Sequence, residues 1–434
     1  MKKTETTSVI SQPCNVEIYT VTPRSSPIDA IVEVPGSKSI TNRALLLGAI
    51  AEGESVLHNV LFSGDTRSFL CCLEALGYKP DIDEGAKSVA LTGGPPVENA
   101  SVNVGSAGTA ARFLTAFLAA SPGTFRIDSS EQMRKRPMKP LFDALTGLGC
   151  SVAYGGREGY LPVTLRGSRL RGGEARLSAG MSSQFTSALL MTGVLHRRDL
   201  LVVPTGREIS KSYIGITLAM MRQFGVEAAV TAGGYAVPAG QSYKARCYRI
   251  EPDVSGACYF YAAAALTGGS VTVKNVFKDS MQGDIEFLSI LEQMGCEVTE
   301  TPEGVRVAGS GRLTGVDADM NDCSDQTMTL CALAPFAETP TTVRNVSHIR
   351  HQESDRLTAI AAELRRLGIR CEETEDGLTV YPGTPKPALV RTYDDHRMAM
   401  AFSLIGLRCE GIRIENPGCV AKTFENYFEL FESL

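Results

Sequence analysis

Apolar positions in this chain recur on two scales at once. At the shorter scale they return every three to four residues through five amphipathic stretches, CLEALGYKPDI, LFDALTGLGCSVAY, TLAMMRQFGVEAAV, FLSILEQMGCEVTE and AAELRRLGIRCEE, which predicts a helix in each. Every stretch then reaches a glycine and changes to the alternating pattern of a strand. These glycines, Gly77, Gly149, Gly225, Gly295 and Gly368, lie 72, 76, 70 and 73 residues apart. A left-handed or open backbone after the last helical turn costs glycine least, so the same helix end is predicted five times. The C-terminal KTFENYFELFESL supplies the corresponding helix of a sixth copy.

A second helix, apolar on more of its circumference, keeps the same period. Its six copies begin near Ser39, Ser106, Ser183, Ser255, Ser324 and Asp395, at spacings of 67, 77, 72, 69 and 71. Each opens on a residue of capping type and is followed by a β-rich stretch such as SVLHNV, SVTVKNV or TTVRNV. Two markers that stay in step along the whole chain predict six copies of a β-α-β-α-β-β unit, and with them an α/β fold of the α+β type. Helices apolar on most sides are expected inside.

A chain of 434 residues exceeds one simple core and suits two or three domains. With 43% hydrophobic and 21% charged residues and no run of 18 apolar positions, disorder, fibre and membrane span are excluded. The start, MKKTETTSVISQPC, has neither the apolar stretch of a secretory signal nor the arginine content of a transit peptide, so a cytoplasmic location is expected. The twelve cysteines show no C-x-x-C and no zinc spacing; reduced, buried thiols are expected, and no metal.

A net charge of -5 argues against a general nucleic-acid or anionic-membrane surface, but it hides a local excess of cations. Lys38 and Arg43 lie in PGSKSITNR, Arg112 in GSAGTAAR, Arg134, Lys135 and Arg136 in MRKRP, Arg350 and Arg356 in RHQESDR, Arg397 in DDHR and Lys422 in CVAKTF. Most of these stretches open helices. A helix N-terminus already carries unpaired N–H groups and partial positive charge, so cations placed there ask for an anion. One site for multiply anionic small molecules follows. PGSKS is not a Walker loop, because Ser37 separates Gly36 from Lys38 and the upstream glycine is missing. GSAGTAAR lacks G-x-G-x-x-G, which removes a dinucleotide site. Gly108 there permits close approach of backbone to ligand, with Thr109 and Arg112 on the helix start beside it. Asp325 in NDCSDQTMT stands where a helix cap would, and Glu353 in HQESDR stands at i,i+3 from Arg356 as a structural pair would. Set among so many cations, both would stay ionised and are equally candidate proton acceptors.

Taken together, PGSKSITNRALLLGAI, GSAGTAARFL, MRKRPMKPL, GMSSQFTSALLM, REISKSYIGITL, SMQGDIEFL, QESDRL, YDDHRMAMAF and PGCVAKTF closely resemble the 5-enolpyruvylshikimate-3-phosphate synthase family, from about Val32 to the end. The resemblance implies a two-domain inside-out α/β barrel with three repeats per domain, one domain formed by residues 1-36 with 252-434 and the other by 37-251. It implies transfer of the enolpyruvyl group of phosphoenolpyruvate to the 5-hydroxyl of 3-phosphoshikimate, by addition and elimination, without metal or organic cofactor. It further implies a monomer, and glyphosate as a candidate inhibitor. Carried over position by position, 3-phosphoshikimate would be held by Lys38, Ser39, Arg43, Ser182, Ser183, Gln184, Ser210, Tyr213 and Asp325, with His348 and Gln352. Phosphoenolpyruvate would be held by Lys38, Gly108, Arg136, Gln184, Arg356, His396, Arg397 and Lys422. Asp325 would take the proton of the attacking hydroxyl, and Glu353 with Lys38 would manage protonation of the methylene carbon.

The chain departs from the commoner family pattern at Gln352, where a lysine is usual, and at His348 and Ser106, where asparagine is usual. A subgroup with altered substrate contacts and a relative acting on a modified acceptor both fit these changes. Two other functions stay in view. A UDP-N-acetylglucosamine enolpyruvyltransferase would show Lys-Asn where this chain has Lys38 and Ser39, and a reactive cysteine near MRKRP, where none occurs. A non-catalytic anion-binding protein would have no need of Asp325, Glu353 and Lys422 together.

Overall fold

The computed structural model describes residues 17–178, 180–206 and 208–434. The expected unit is present in full at residues 99–167. Strand Asn99–Asn103 leads into helix Gly108–Ala119, strand Gly123–Asp128, helix Lys139–Gly147, and strands Ser151–Tyr154 and Val163–Gly167. The first two strands pair in parallel, Gly123–Asp128 pairs antiparallel with Val163–Gly167, and Ser151–Tyr154 closes the edge. Six such sheets are present among the described residues. The five repeat glycines all have left-handed or open backbones, with φ from +78° to +108°.

Two units take their first strand from a distant part of the chain. Cys247–Arg249 lies parallel to Glu54–His58, and Asp29–Val32 lies parallel to Ser270–Lys274. The sixth sheet has three strands, Ala388–Val390, Ile412–Glu415 and Ile18–Thr20, the last supplied antiparallel by the N-terminal segment. These exchanges sort the buried apolar residues into two cores. One runs from Ile40 to Ile250; the other combines Val21–Val34 with Val254–Phe431.

The six apolar helices are the interior of these cores. Gly108–Ala119 is buried along its whole length, as is all of Val254–Thr267 except its last residue. Gly108–Ala119 packs on Lys38–Ile50 and Ser183–Thr192, and Val254–Thr267 packs on Thr327–Leu333 and His396–Gly406. Helices lie inside and sheets outside, the inside-out arrangement. Of the expected opening residues, Asp395 caps its helix, accepting from the Arg397 N–H. Ser182 and Asp253, one and two residues ahead of the expected Ser183 and Ser255, cap theirs by accepting from the Gln184 and Gly256 N–H groups, and no side chain caps the turn that begins at Ser324. The cap also fails in the second copy, where the helix begins two residues after Ser106 with Ala107 at the cap, and Ser37 makes no capping bond. The thiol expectation holds for most cysteines, but Cys71 and Cys247 are exposed because they sit on outward positions of an outer helix and an edge strand. Among the described residues no helix is long and apolar enough to cross a membrane.

The chain passes between the cores at two adjacent places. Ser37 N–H donates to the Glu251 carbonyl at 2.8 Å, and Asp253 N–H to the Pro35 carbonyl at 2.8 Å, with Gly36 facing Pro252 between them. A Cβ on Gly36 would lie 1.9 Å from the carbonyl oxygen of Asn59, which is itself held at φ +57°. Backbone cannot yield as a flexible side chain can. Gly36→Ala is therefore expected to lower unfolding free energy by about 1–3 kcal/mol or more, whereas Gly64→Ala, with nothing within 4 Å, should be neutral or slightly stabilising. Urea unfolding of both variants checks the pair.

Candidate active site

Between the two cores lies a cavity of about 100 Å³ lined by both. The first turns of the buried helices converge there. Lys38 and Ser39, Thr109, Ser183 and Gln184, and His396 and Arg397 come from four of them, and Asp325 comes from the 3-10 turn that leads into the fifth. The sixth contributes Ser255, whose Oγ is 3.5 Å from Arg397 Nη2. Five cations, Lys38, Arg112, Arg136, Arg356 and Arg397, line the cavity against two carboxylates, Asp325 and Glu353. The surplus is positive, and the helix ends add to it.

Arg356, 1% exposed, is the hub. Its Nε and Nη2 bind the two oxygens of the wholly buried Asp395 at 2.8 and 3.2 Å. Nη1 reaches Asp325 at 3.0 Å and Nη2 reaches Glu353 at 3.1 Å, while Gln352 accepts a further bond. Asp325 also receives Arg397 at 2.7 Å and the Tyr213 hydroxyl at 2.7 Å; Glu353 also receives Lys422 at 3.3 Å and Arg136 at 3.4 Å. Burial tends to raise the pKa of Asp325, but Arg397 and Arg356 outweigh it and hold the carboxyl at about 2. For Glu353 burial is likewise overcome, by Lys422, Arg136 and Arg356, and its pKa lies well below the usual range. His396 is driven the other way, by burial and then by Lys38 and Arg397, so its ring stays neutral. Several of these bonds join the cores: Tyr213 to Asp325, Arg136 to Glu353, Ser210 Oγ to His348 Nε2 at 3.2 Å, and Ser212 Oγ to the Asp322 carbonyl at 2.8 Å.

A cation-rich cavity with two ionised acids suits small, multiply charged anions, and comparison with known proteins agrees. A model of the EPSP synthase family (3-phosphoshikimate 1-carboxyvinyltransferase) matches residues 23–431. The chain belongs to this family. It is 46% identical over 409 residues to the 3-phosphoshikimate 1-carboxyvinyltransferase of Trichormus variabilis, covering 93% of this chain and 96% of that protein. It is 41% identical over 424 residues to 3-phosphoshikimate 1-carboxyvinyltransferase 2 of Halalkalibacterium halodurans, covering 96% and 94%. An EPSP synthase structure from Acinetobacter baumannii superposes with a TM-score of 0.81 at 25% identity, covering 96% of this chain and 98% of that one. The family match begins ahead of Val32, where the sequence resemblance starts, and Ile28 within that added stretch belongs to a core.

Most residues singled out by the EPSP synthase resemblance line the cavity: Lys38, Ser39, Arg136, Ser182, Ser183, Gln184, Ser210, Tyr213, Asp325, His348, Gln352, Glu353, Arg356, His396 and Arg397. Three stand just behind it. Arg43 is consumed by the Ser39 and Tyr213 carbonyls and by Thr217 and Ser187, and its guanidinium lies over Phe113. Gly108 lies against Arg112 and Arg136, and Lys422 reaches the cavity through Glu353. Lys38 is paired with Asp65 at 3.7 Å, so the ammonium on Glu353 belongs to Lys422. Sequence reasoning missed Asp65 and His351 and took Asp395 only as a helix start. For Asp395 the signal was available, since a carboxylate two residues before Arg397 can cap that helix and meet a second cation. For Asp65 there was none.

Asp325 titrates below its ordinary 3.8 in the fold, so its contribution to stability is present above about pH 4 and lost as pH falls toward 2. Asp325→Asn should unfold more easily than the parent at pH 7, by on the order of 2 kcal/mol. That gap should close between about pH 4 and 2 in urea unfolding series; a pH-independent gap would remove the ion pairs as its cause.

Proposed function

We propose that the chain transfers the enolpyruvyl group of phosphoenolpyruvate to the 5-hydroxyl of 3-phosphoshikimate, giving 5-enolpyruvylshikimate 3-phosphate and phosphate in the shikimate pathway. The observation that carries this beyond family membership is the charge count, five cations against two ionised carboxylates in one cavity between the cores. The division into domains is proposed at the paired crossings Gly36 and Pro252, with residues 1–16 outside those described. The same reading makes the enzyme a cytoplasmic monomer without metal or cofactor, and makes glyphosate, another small phosphorus anion, a competitor for the phosphoenolpyruvate subsite beside Gly108 and Arg136.

The residue roles follow from the chemistry. Proton delivery to the methylene carbon of the enol leaves oxocarbenium character at the neighbouring carbon, which the 5-hydroxyl attacks as its own proton departs. Expulsion of phosphate and loss of a methyl proton then restore the double bond. Arg136, Arg356, Arg397 and Lys422 hold the anions of phosphoenolpyruvate, and charge-assisted bonds of this kind are worth about 1.5–3 kcal/mol each. Ser182, Ser183, Gln184, Ser210 and Tyr213 hold 3-phosphoshikimate together with Lys38. Asp325 takes the hydroxyl proton, and Glu353 with Lys38 or Lys422 serves the methylene carbon. The surrounding guanidiniums and the Lys422 ammonium hold both carboxylates below their ordinary pKa and so make them weak bases. Substrate anions compete for Arg397, Arg136 and Lys422, so each carboxylate loses part of its positive surroundings and its proton affinity rises. The bonds that join the cores shut out water while this happens.

Phosphate release from phosphoenolpyruvate should occur with 3-phosphoshikimate as acceptor and not with UDP-N-acetylglucosamine; the opposite preference would point to the sugar-nucleotide enzyme, and no release with either to a binding protein. Asp325→Asn and Glu353→Gln should both retain substrate binding by calorimetry, with turnover reduced by about 100-fold or more, since proton transfer by a positioned group contributes roughly 10²–10⁴-fold. Unchanged turnover would withdraw the assigned roles.

A further inference from the structure

Of the five cations that line the cavity, four have a carboxylate partner. Arg136 has Glu353, Arg356 has Asp325, Glu353 and Asp395, Arg397 has Asp325, and Lys38 has Asp65. Arg112 is the exception. Its side chain is 3% exposed, and among the described residues no carboxylate lies within 4 Å of it. Nη1 donates to the Gly108 carbonyl at 3.0 Å and lies 3.9 Å from the Met133 sulfur, and the guanidinium lies 5.6 Å from the centre of the Phe185 ring. Nε has no partner.

Arg43 shows that burial without a carboxylate can be satisfied. Its guanidinium spends its donors on four neutral oxygens and does not line the cavity. Arg112 has one carbonyl, lines the cavity, and stands beside a like charge. A single Cβ placed on Gly108 would lie 2.5 Å from Arg112 Nη1 and 2.9 Å from Arg136 Nη1, so both guanidiniums close on the same small volume. Burial and then Arg136 disfavour the charged form of Arg112, against a smaller opposing pull from the Glu353 carboxylate, which makes no contact with it. An unpaired buried charge is expensive, and it is retained at a ligand site when the ligand supplies the missing charge.

We infer that Arg112 is a further anion ligand of the phosphoenolpyruvate subsite, taking a substrate oxygen together with Arg136 at the start of helix Gly108–Ala119. The assignment of the subsite rests on the proposed function; the presence of an anion at Arg112 does not. It also gives Gly108 a definite role, because any side chain there would displace both guanidiniums.

Arg112→Met keeps much of the volume against Phe185 and removes the charge. The expected result is a KM for phosphoenolpyruvate raised at least 10-fold, with the KM for 3-phosphoshikimate within about twofold of the parent. The melting temperature of the substrate-free variant should equal or exceed the parent's, because an uncompensated buried charge has gone, and its rise on adding inorganic phosphate should shrink. A merely structural arginine would lower the melting temperature, move both KM values and leave the phosphate response intact. An unaltered KM for phosphoenolpyruvate in an active variant overturns the inference, as does an unaltered phosphate response. Should Arg112→Met fail to fold, Arg112→Lys tests the same point, with a weakened phosphate response expected and an unchanged one contradicting it. If the parent protein releases no phosphate from phosphoenolpyruvate but loses its phosphate response on substitution, the anion ligand stands and the proposed reaction falls.

Discussion

The architecture turns on the alternation of opposite charges across the cavity. Lys422 and Arg136 meet Glu353, Glu353 meets Arg356, Arg356 meets Asp325 and Asp395, and Asp325 meets Arg397. Taking any of these groups from water costs several kcal/mol, and buried ion pairs often recover little more than that cost. The chain bears it because the same cations must be available to anions. Asp395 makes this workable, since its two oxygens fix the Arg356 fork and leave Nη1 free to reach Asp325 while Nη2 also serves Glu353. Without it Arg356 would be free to collapse onto either carboxylate.

The fold exists to bring those groups together at helix starts. Each core packs three apolar helices inside its sheets, and the first turns of both sets face the gap between the cores. The borrowed strands Asp29–Val32 and Cys247–Arg249 lock each crossing segment to the core it leaves. The crossings themselves are hydrogen-bonded to one another, so the two cores are joined at one narrow place beside Lys38 and Ser39. A short connection at one edge leaves the rest of the gap for side chains that reach across, and Tyr213, Arg136 and Ser210 do so.

Charge compensation also links binding to reactivity. Carboxylates held by guanidiniums are weak bases, and they become stronger ones when substrate oxygens take over those guanidiniums. On the proposed reading, Asp325 and Glu353 would be most basic with both anions in place.

Much of this was legible in the chain. The periodic glycines fixed the ends of the outer helices, because only a left-handed turn joins each helix to the strand that follows, and the uniformly apolar stretches could only be interior helices. The clustering of cations at helix starts announced an anion site, since local electrostatics disfavours them there otherwise. Tertiary structure decided which charges meet. Asp65 lies 27 residues from Lys38, and Asp395 39 residues from Arg356, and nothing local pairs them. It also separated Arg43 from Arg112: alike in sequence as cations near helix starts, one is saturated by neutral oxygens and the other is left beside the cavity with an open valence. A pattern along the chain reports which surface is buried, whereas the partner of a charge depends on contacts that form only when distant segments pack.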